Sequence, residues 1–108
     1  MEELAKYQKF VRDRITELRL QKGVSEHRMS LDLGKSGSYI RSITNGIALP
    51  SLRELFNIMI YFEISPSEFF INLEDPSSLR TEINRKLQQF SDEDLNKVSL
   101  FISWIKNR

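Results

Sequence analysis

The side chains able to do chemistry in this chain are few, and their types favour polar contact over bond-making. There is no cysteine and a single histidine, His27. Thiol nucleophiles, disulfide scaffolds, zinc ribbons and iron–sulfur clusters are therefore excluded, and His27 lacks any partner at metal-ligand spacing. Carboxylates are scattered through the last third, but without histidine, cysteine or a metal cluster they read as solubility. Gly34, Gly37 and Gly46 are too widely spaced for a phosphate-binding loop and lack its Lys-Ser/Thr ending. No enzyme, cofactor or metal is expected. What remains is charge. The net charge is +1, yet residues 1–53 carry ten Lys/Arg against six Asp/Glu, and residues 54–108 carry six against nine. That division implies one surface that meets a polyanion and another that does not.

The elements that position these residues are helical throughout. With 108 residues, 40% apolar and 29% charged, the chain has ordinary globular composition and fits one domain with a short extension. Val11, Ile15 and Leu18 recur at helical spacing and predict a helix from about Tyr7 to Lys22, closed by Gly23. Ser25 offers an N-cap for a short segment ending at Gly34, with Met29 and Leu33 on one face. Ser36 offers another for Gly37 to Thr44, whose Ile40 and Ile43 are followed by Asn45-Gly46. Ser51-Leu52-Arg53-Glu54 reads as a capping box opening a helix to Phe62, and Ser65-Pro66-Ser67-Glu68 repeats the device through Phe70.

Beyond residue 72, Asp75 before Pro76 is read as starting a sixth helix, with Leu79, Ile83 and Leu87 every four residues. Ser91-Asp92-Glu93-Asp94 opens the last, whose stripe of Leu95, Val98, Ile102 and Ile105 is widened by Phe101 and Trp104. The expected fold is all-α, with five helices in residues 1–72 and two in a C-terminal extension over 73–108. Apolar runs such as Ile58 to Phe62 fall far short of the ~20 residues that span a bilayer. The acidic Met1-Glu2-Glu3 does not resemble a signal peptide. A cytoplasmic chain with no membrane partner is expected.

The most informative stretch is Val24 to Asn45. Its two short segments, joined by Gly34-Lys35-Ser36, have apolar faces too narrow for a core of their own and need the first helix beneath them. The second then keeps a solvent face, and a helix ~10–12 Å across fits the DNA major groove. Gly34 suits a sharp turn that demands positive φ, and Ser30 is small enough for the pair to approach closely.

Ile15-x-x-Leu18-Arg19-x-x-x-Gly23-Val24-Ser25, Met29-Ser30-x-x-Leu33-Gly34, Ser36-x-Ser38-Tyr39-Ile40-x-x-Ile43-x-Asn45-Gly46 and Pro50-Ser51 with Leu52, Leu55 and Ile58 follow in order. Together they resemble the phage-repressor/Cro (XRE) helix-turn-helix domain over about residues 8–72. The resemblance implies a five-helix domain that binds operator DNA, usually as a dimer, and regulates transcription, usually as a repressor. It makes Ser36 to Thr44 the recognition helix, with Gly37, Ser38 and Ser42 at base-facing positions. Ser36 and the N–H groups beside it would meet a phosphate, and Asn45 would touch backbone. Lys35, Tyr39 and Arg41 are further candidates for phosphate or groove contact. Three positions depart from the family pattern. Glu26 stands where a phosphate-binding glutamine is usual, Thr44 where glutamate is frequent, and Glu63 where glycine is usual.

The fourth helix carries a second inference. Leu52, Leu55, Ile58, Met59 and Phe62 fit the core, which leaves Phe56, Ile60 and Tyr61 on the other side. A helix apolar nearly all round calls for cover on two sides. The C-terminal pair is expected to supply it and to build a homodimer interface. Two alternatives have the same residues serving an antitoxin-type protein that masks a toxin partner, or a protein-interaction module with a weakened DNA face.

Overall fold

Seven helices follow one another with no strand among the described residues, which are 1–107 of this computed structural model. They are α1 (Glu2–Lys22), α2 (Glu26–Asp32), α3 (Tyr39–Thr44), α4 (Leu52–Tyr61), α5 (Pro66–Phe69), α6 (Leu79–Leu87) and α7 (Asp92–Lys106). The all-α expectation holds. The chain divides into two units, one ending at Phe70 and the other starting at Ile71.

In the first unit every helix contributes to one core. Ile15 and Leu18 come from α1, Met29 from α2, Ile40 and Ile43 from α3, Ile58 and Met59 from α4, and Phe69 from α5. Short helices have little stability alone, so burial of these side chains, rather than helix propensity, holds α2, α3 and α5 in place. Phe69 stacks edge-on with Phe10 and Phe70, and the Arg14 guanidinium lies over its ring. Arg14 also donates from Nε to the Phe69 carbonyl and from Nη2 to the Glu68 carbonyl, each at 3.0 Å. It thereby ties α1 to the carbonyls that end α5, which have no partner within that helix.

Helix boundaries differ from the sequence reading in three places. α1 starts at Glu2, with Glu2 and Glu3 in its first turn, where acidic side chains suit the helix dipole. α3 starts at Tyr39 rather than Gly37, and Ser36 is not its cap: the Ser36 carbonyl instead accepts from Tyr39 N–H at 3.1 Å. α6 starts after Ser78, whose hydroxyl accepts from Thr81 N–H. Asp75 accepts from the backbone N–H and the hydroxyl of Ser77, closing a turn before the helix instead of capping it.

Ser51 and Glu54 form the full reciprocal capping box. Ser65 and Ser91 cap α5 and α7 in one direction, each accepting from the N–H three residues on. Leu52, assigned to the core from its spacing, is 67% exposed because it occupies the first position of α4, at the domain edge. Of the three residues expected to be covered a second time, Tyr61 is partly buried and donates to Asp32, while Phe56 and Ile60 are exposed.

α2, α3 and α4 end alike. In α2, Gly34 N–H donates to Leu31 and Lys35 N–H to Ser30, with Gly34 at φ 73°. This six-residue closure needs a left-handed residue, and glycine adopts that conformation without strain. In α4 the same position is Glu63, at φ 55°, with Ile64 N–H donating back to Met59. A side chain with a Cβ costs about 1–2 kcal/mol there, whereas glycine adds about 0.5–1 kcal/mol of chain entropy to be lost on folding. Glu63→Gly is therefore expected to stabilise the unit by roughly 0.5–1 kcal/mol, read as a higher urea midpoint. An unchanged or lower midpoint would show that Glu63 makes a compensating interaction.

In the second unit, Thr81 is buried and accepts from the Ser78 hydroxyl, and Arg85 donates to Asn72. α7 buries no residue; Leu95, Leu100, Phe101 and Ile102 are all exposed, and Phe101 stacks on Trp104.

Candidate nucleic-acid interface

α2, the Gly34 turn and α3 form a helix-turn-helix pair on α1. One buried hydroxyl joins its halves. Ser30, fully buried, donates to the Glu26 carbonyl at 2.7 Å and accepts from Ile40 N–H at 3.0 Å. Ile40 is the second residue of α3, so its N–H is one of those an N-cap side chain normally satisfies. Ser38, in the N-cap position, makes no such bond. Ser30 caps α3 from α2, which is why the small residue seen in the sequence must also be polar.

The proposed contact residues fall into two groups. Ser36, Ser38, Arg41 and Asn45 are exposed. Within α3 itself Arg41 is the exposed residue; Ile40 and Ile43 are buried, and Tyr39, Ser42 and Thr44 are partly buried. Lys35, Tyr39 and Ser42 are engaged within the chain. Lys35 Nζ bonds Glu54 at 2.7 Å and lies 5.4 Å from the centre of the Tyr39 ring. The Tyr39 hydroxyl is directed at the same carboxylate, short of full hydrogen-bond geometry. Burial, and secondarily Glu54, push the Tyr39 ionisation upward, so the hydroxyl stays neutral. Lys35, helped by the Ser51 backbone N–H, holds the Glu54 carboxyl down at about 2. The Ser42 hydroxyl donates to the Tyr39 carbonyl at 2.7 Å. The eighth candidate, Gly37, lies against the Nδ1–Cε1 edge of the His27 ring.

Other basic residues of the first half are committed to structure. Arg14 holds α5, and Arg19 donates to the Val24 carbonyl at 2.8 Å rather than pairing with an acid. Arg12 brings its guanidinium against Gly46, at the end of α3. The positive charge of the first half therefore overstates what is free to meet a polyanion.

The structure joins two of the unusual residues. The Thr44 hydroxyl lies within bonding distance of the Glu26 carboxylate and of the Ile40 carbonyl. Glu26 and Thr44 thus form a second polar tie between the two helices, and the carboxylate is occupied by a donor from its own fold. Among the described residues no group of His, Cys, Asp and Glu is placed to hold a metal, and no helix is long and apolar enough to cross a membrane.

A helix-turn-helix family model of the XRE type matches residues 15–69, just over half of the chain. The chain belongs to the XRE-type helix-turn-helix family. The match begins at Ile15 and ends at Phe69, both core residues of the first unit, so it spans the helix-turn-helix pair and the helices that support it. No curated protein and no solved structure gives a significant match. As a member of this family the chain is a DNA-binding transcription regulator, in a family that is not typically enzymatic.

Proposed function

We propose that this helix-turn-helix chain represses transcription by occupying an operator as a homodimer, with α3 in the major groove. The observation that carries the reading is the exposure of Arg41 on α3 and of Ser38 and Asn45, in the cap positions at its two ends, while Ile40 and Ile43 face the core. Ser36, Ser38, Arg41 and Asn45 supply direct polar contacts. Ser42 and Gly37 lie along the same segment, and Lys35 and Tyr39 flank it.

Neutralising about five phosphates per dimer gives a slope of log K against log salt near −4 to −5. Fluorescence anisotropy of a labelled duplex at several salt concentrations measures that slope. Arg41→Glu reverses one charge on the proposed face and is expected to weaken binding several-fold, with helix content unchanged because the residue is exposed. A flat salt response, or undiminished binding by Arg41→Glu, would refute the docking.

The homodimer reading draws on α7 and the rest of the extension. Leu95, Leu100, Phe101 and Ile102 expose apolar surface that water penalises. The helix begins with Asp92, Glu93 and Asp94 and carries Lys106 in its last turn. Two copies laid antiparallel bring opposite charges together while covering the apolar stripe, and two-fold pairing suits a half-site reader. Ile102→Glu is expected to convert the dimer to monomer in sedimentation equilibrium without loss of helix content. A wild-type chain that remains monomeric at tens of micromolar would refute the interface.

A further inference from the structure

Gly37 has no side chain, yet the space where one would stand is filled. A Cβ built on Gly37 would lie 2.5 Å from both Cε1 and Nδ1 of His27 and 3.7 Å from its Cγ. Carbon and nitrogen do not approach that closely without bonding, so a side chain at 37 and this placement of the imidazole exclude each other. His27 is the second residue of α2 and is exposed, and its ring reaches across to Gly37 in the turn before α3. The Nδ1–Cε1 edge lies against Gly37, which leaves Nε2 as the nitrogen farther from the backbone.

We infer that His27 is a specificity-determining residue that reads a base where Gly37, against the edge of its ring, presents no side chain of its own. This rests on the reading that the start of α3 enters the groove. An imidazole N–H is a hydrogen-bond donor, and in the major groove guanine offers it two adjacent acceptors, N7 and O6, where adenine and thymine offer one each and cytosine none. Ser38 and Ser42 accept or donate with little discrimination between bases, so the imidazole is the more selective group on this face. The ring stands where an alanine methyl at 37 would be, so any side chain there displaces it.

Selection of bound duplexes from a random pool tests the inference with the full-length chain, using wild type, His27→Ala, Gly37→Ala and His27→Ala with Gly37→Gln. Wild type is expected to select one guanine per half-site that His27→Ala no longer prefers, with a loss of about five-fold or more in preference at that position and unchanged affinity for random duplex. Gly37→Ala, which displaces the ring, is expected to lose the same preference. The double variant, with a long amide at 37, is expected to move the preference to adenine, the base glutamine pairs with.

If His27→Ala selects the same sequence as wild type, or weakens binding to all duplexes equally, base reading by His27 is overturned while DNA binding by α3 stands. If wild type binds no duplex at low salt, the docking on which the inference rests is overturned as well. Helix content and thermal midpoint, followed for each variant, separate a lost base contact from a damaged fold.

Discussion

Phe69→Ala is expected to destabilise the first unit by about 3–5 kcal/mol. Phe69 is fully buried and comes from a four-residue helix that has almost no stability of its own. Its ring meets Phe10 from α1 and Phe70 at the end of its own helix, with ring centres 6.5 Å and 4.9 Å away. Removing it empties a cavity that neighbours from two directions cannot close, and it also withdraws the surface beneath the Arg14 guanidinium. The two Arg14 bonds to the Glu68 and Phe69 carbonyls are backbone contacts. They survive the substitution only while α5 stays docked. Since small domains are stable by about 5–15 kcal/mol, a loss of this size removes roughly a third or more of the stability of a domain in the lower half of that range. Urea unfolding followed by circular dichroism measures it, and a loss below about 1.5 kcal/mol would show that α5 does not anchor the core.

Ser30→Val is expected to cost about 2–6 kcal/mol, and it damages DNA binding as well as stability. The substitution leaves Ile40 N–H buried without an acceptor, at about 1–3 kcal/mol. It also adds a methyl group at a fully buried position, and overpacking of that kind costs about 1–3 kcal/mol. Ser30→Ala removes the bond without the added bulk and is expected to lie at about 1–3 kcal/mol. The gap between the two variants measures how tightly α2 and α3 are pressed together. In folded Ser30→Val the start of α3 must move away from α2, so operator affinity falls more than the population of folded protein explains. Equal stability of the two variants would mean that the interface has slack and that only the hydrogen bond matters.

The core of the first unit was legible because it depends on periodicity within single helices. Ile15, Leu18, Met29, Ile40, Ile43, Ile58 and Met59 all fall at helical spacing, and all are buried. Gly34 was legible because a left-handed turn leaves a chemical signature in the residue type. Leu52 was misplaced because spacing cannot distinguish the first turn of a helix, which projects past its neighbours, from the middle. The start of α6 was misplaced because Asp75, Ser77 and Ser78 compete for the same cap, and the outcome depends on backbone torsions.

Contacts between helices were the least legible. Ser30 capping α3, Glu26 meeting Thr44 and His27 filling the space beside Gly37 each join residues 10 to 18 apart across a helix crossing whose angle the sequence does not state. The charge division of the chain does not state which cations are free, for the same reason. Arg14 and Arg19 belong to the basic first half, but each is directed at a carbonyl of its own chain. Glu26 and Thr44, each unusual for the family by itself, become intelligible as a pair.

The most direct test of α3 as the DNA-reading helix is an amide NMR titration of the full-length chain with a selected duplex at low salt. The account predicts the largest shifts from Ser36 to Asn45 and at His27, with α5 little affected. Shifts confined to α6 and α7, or a spectrum that duplex leaves unchanged, would contradict it.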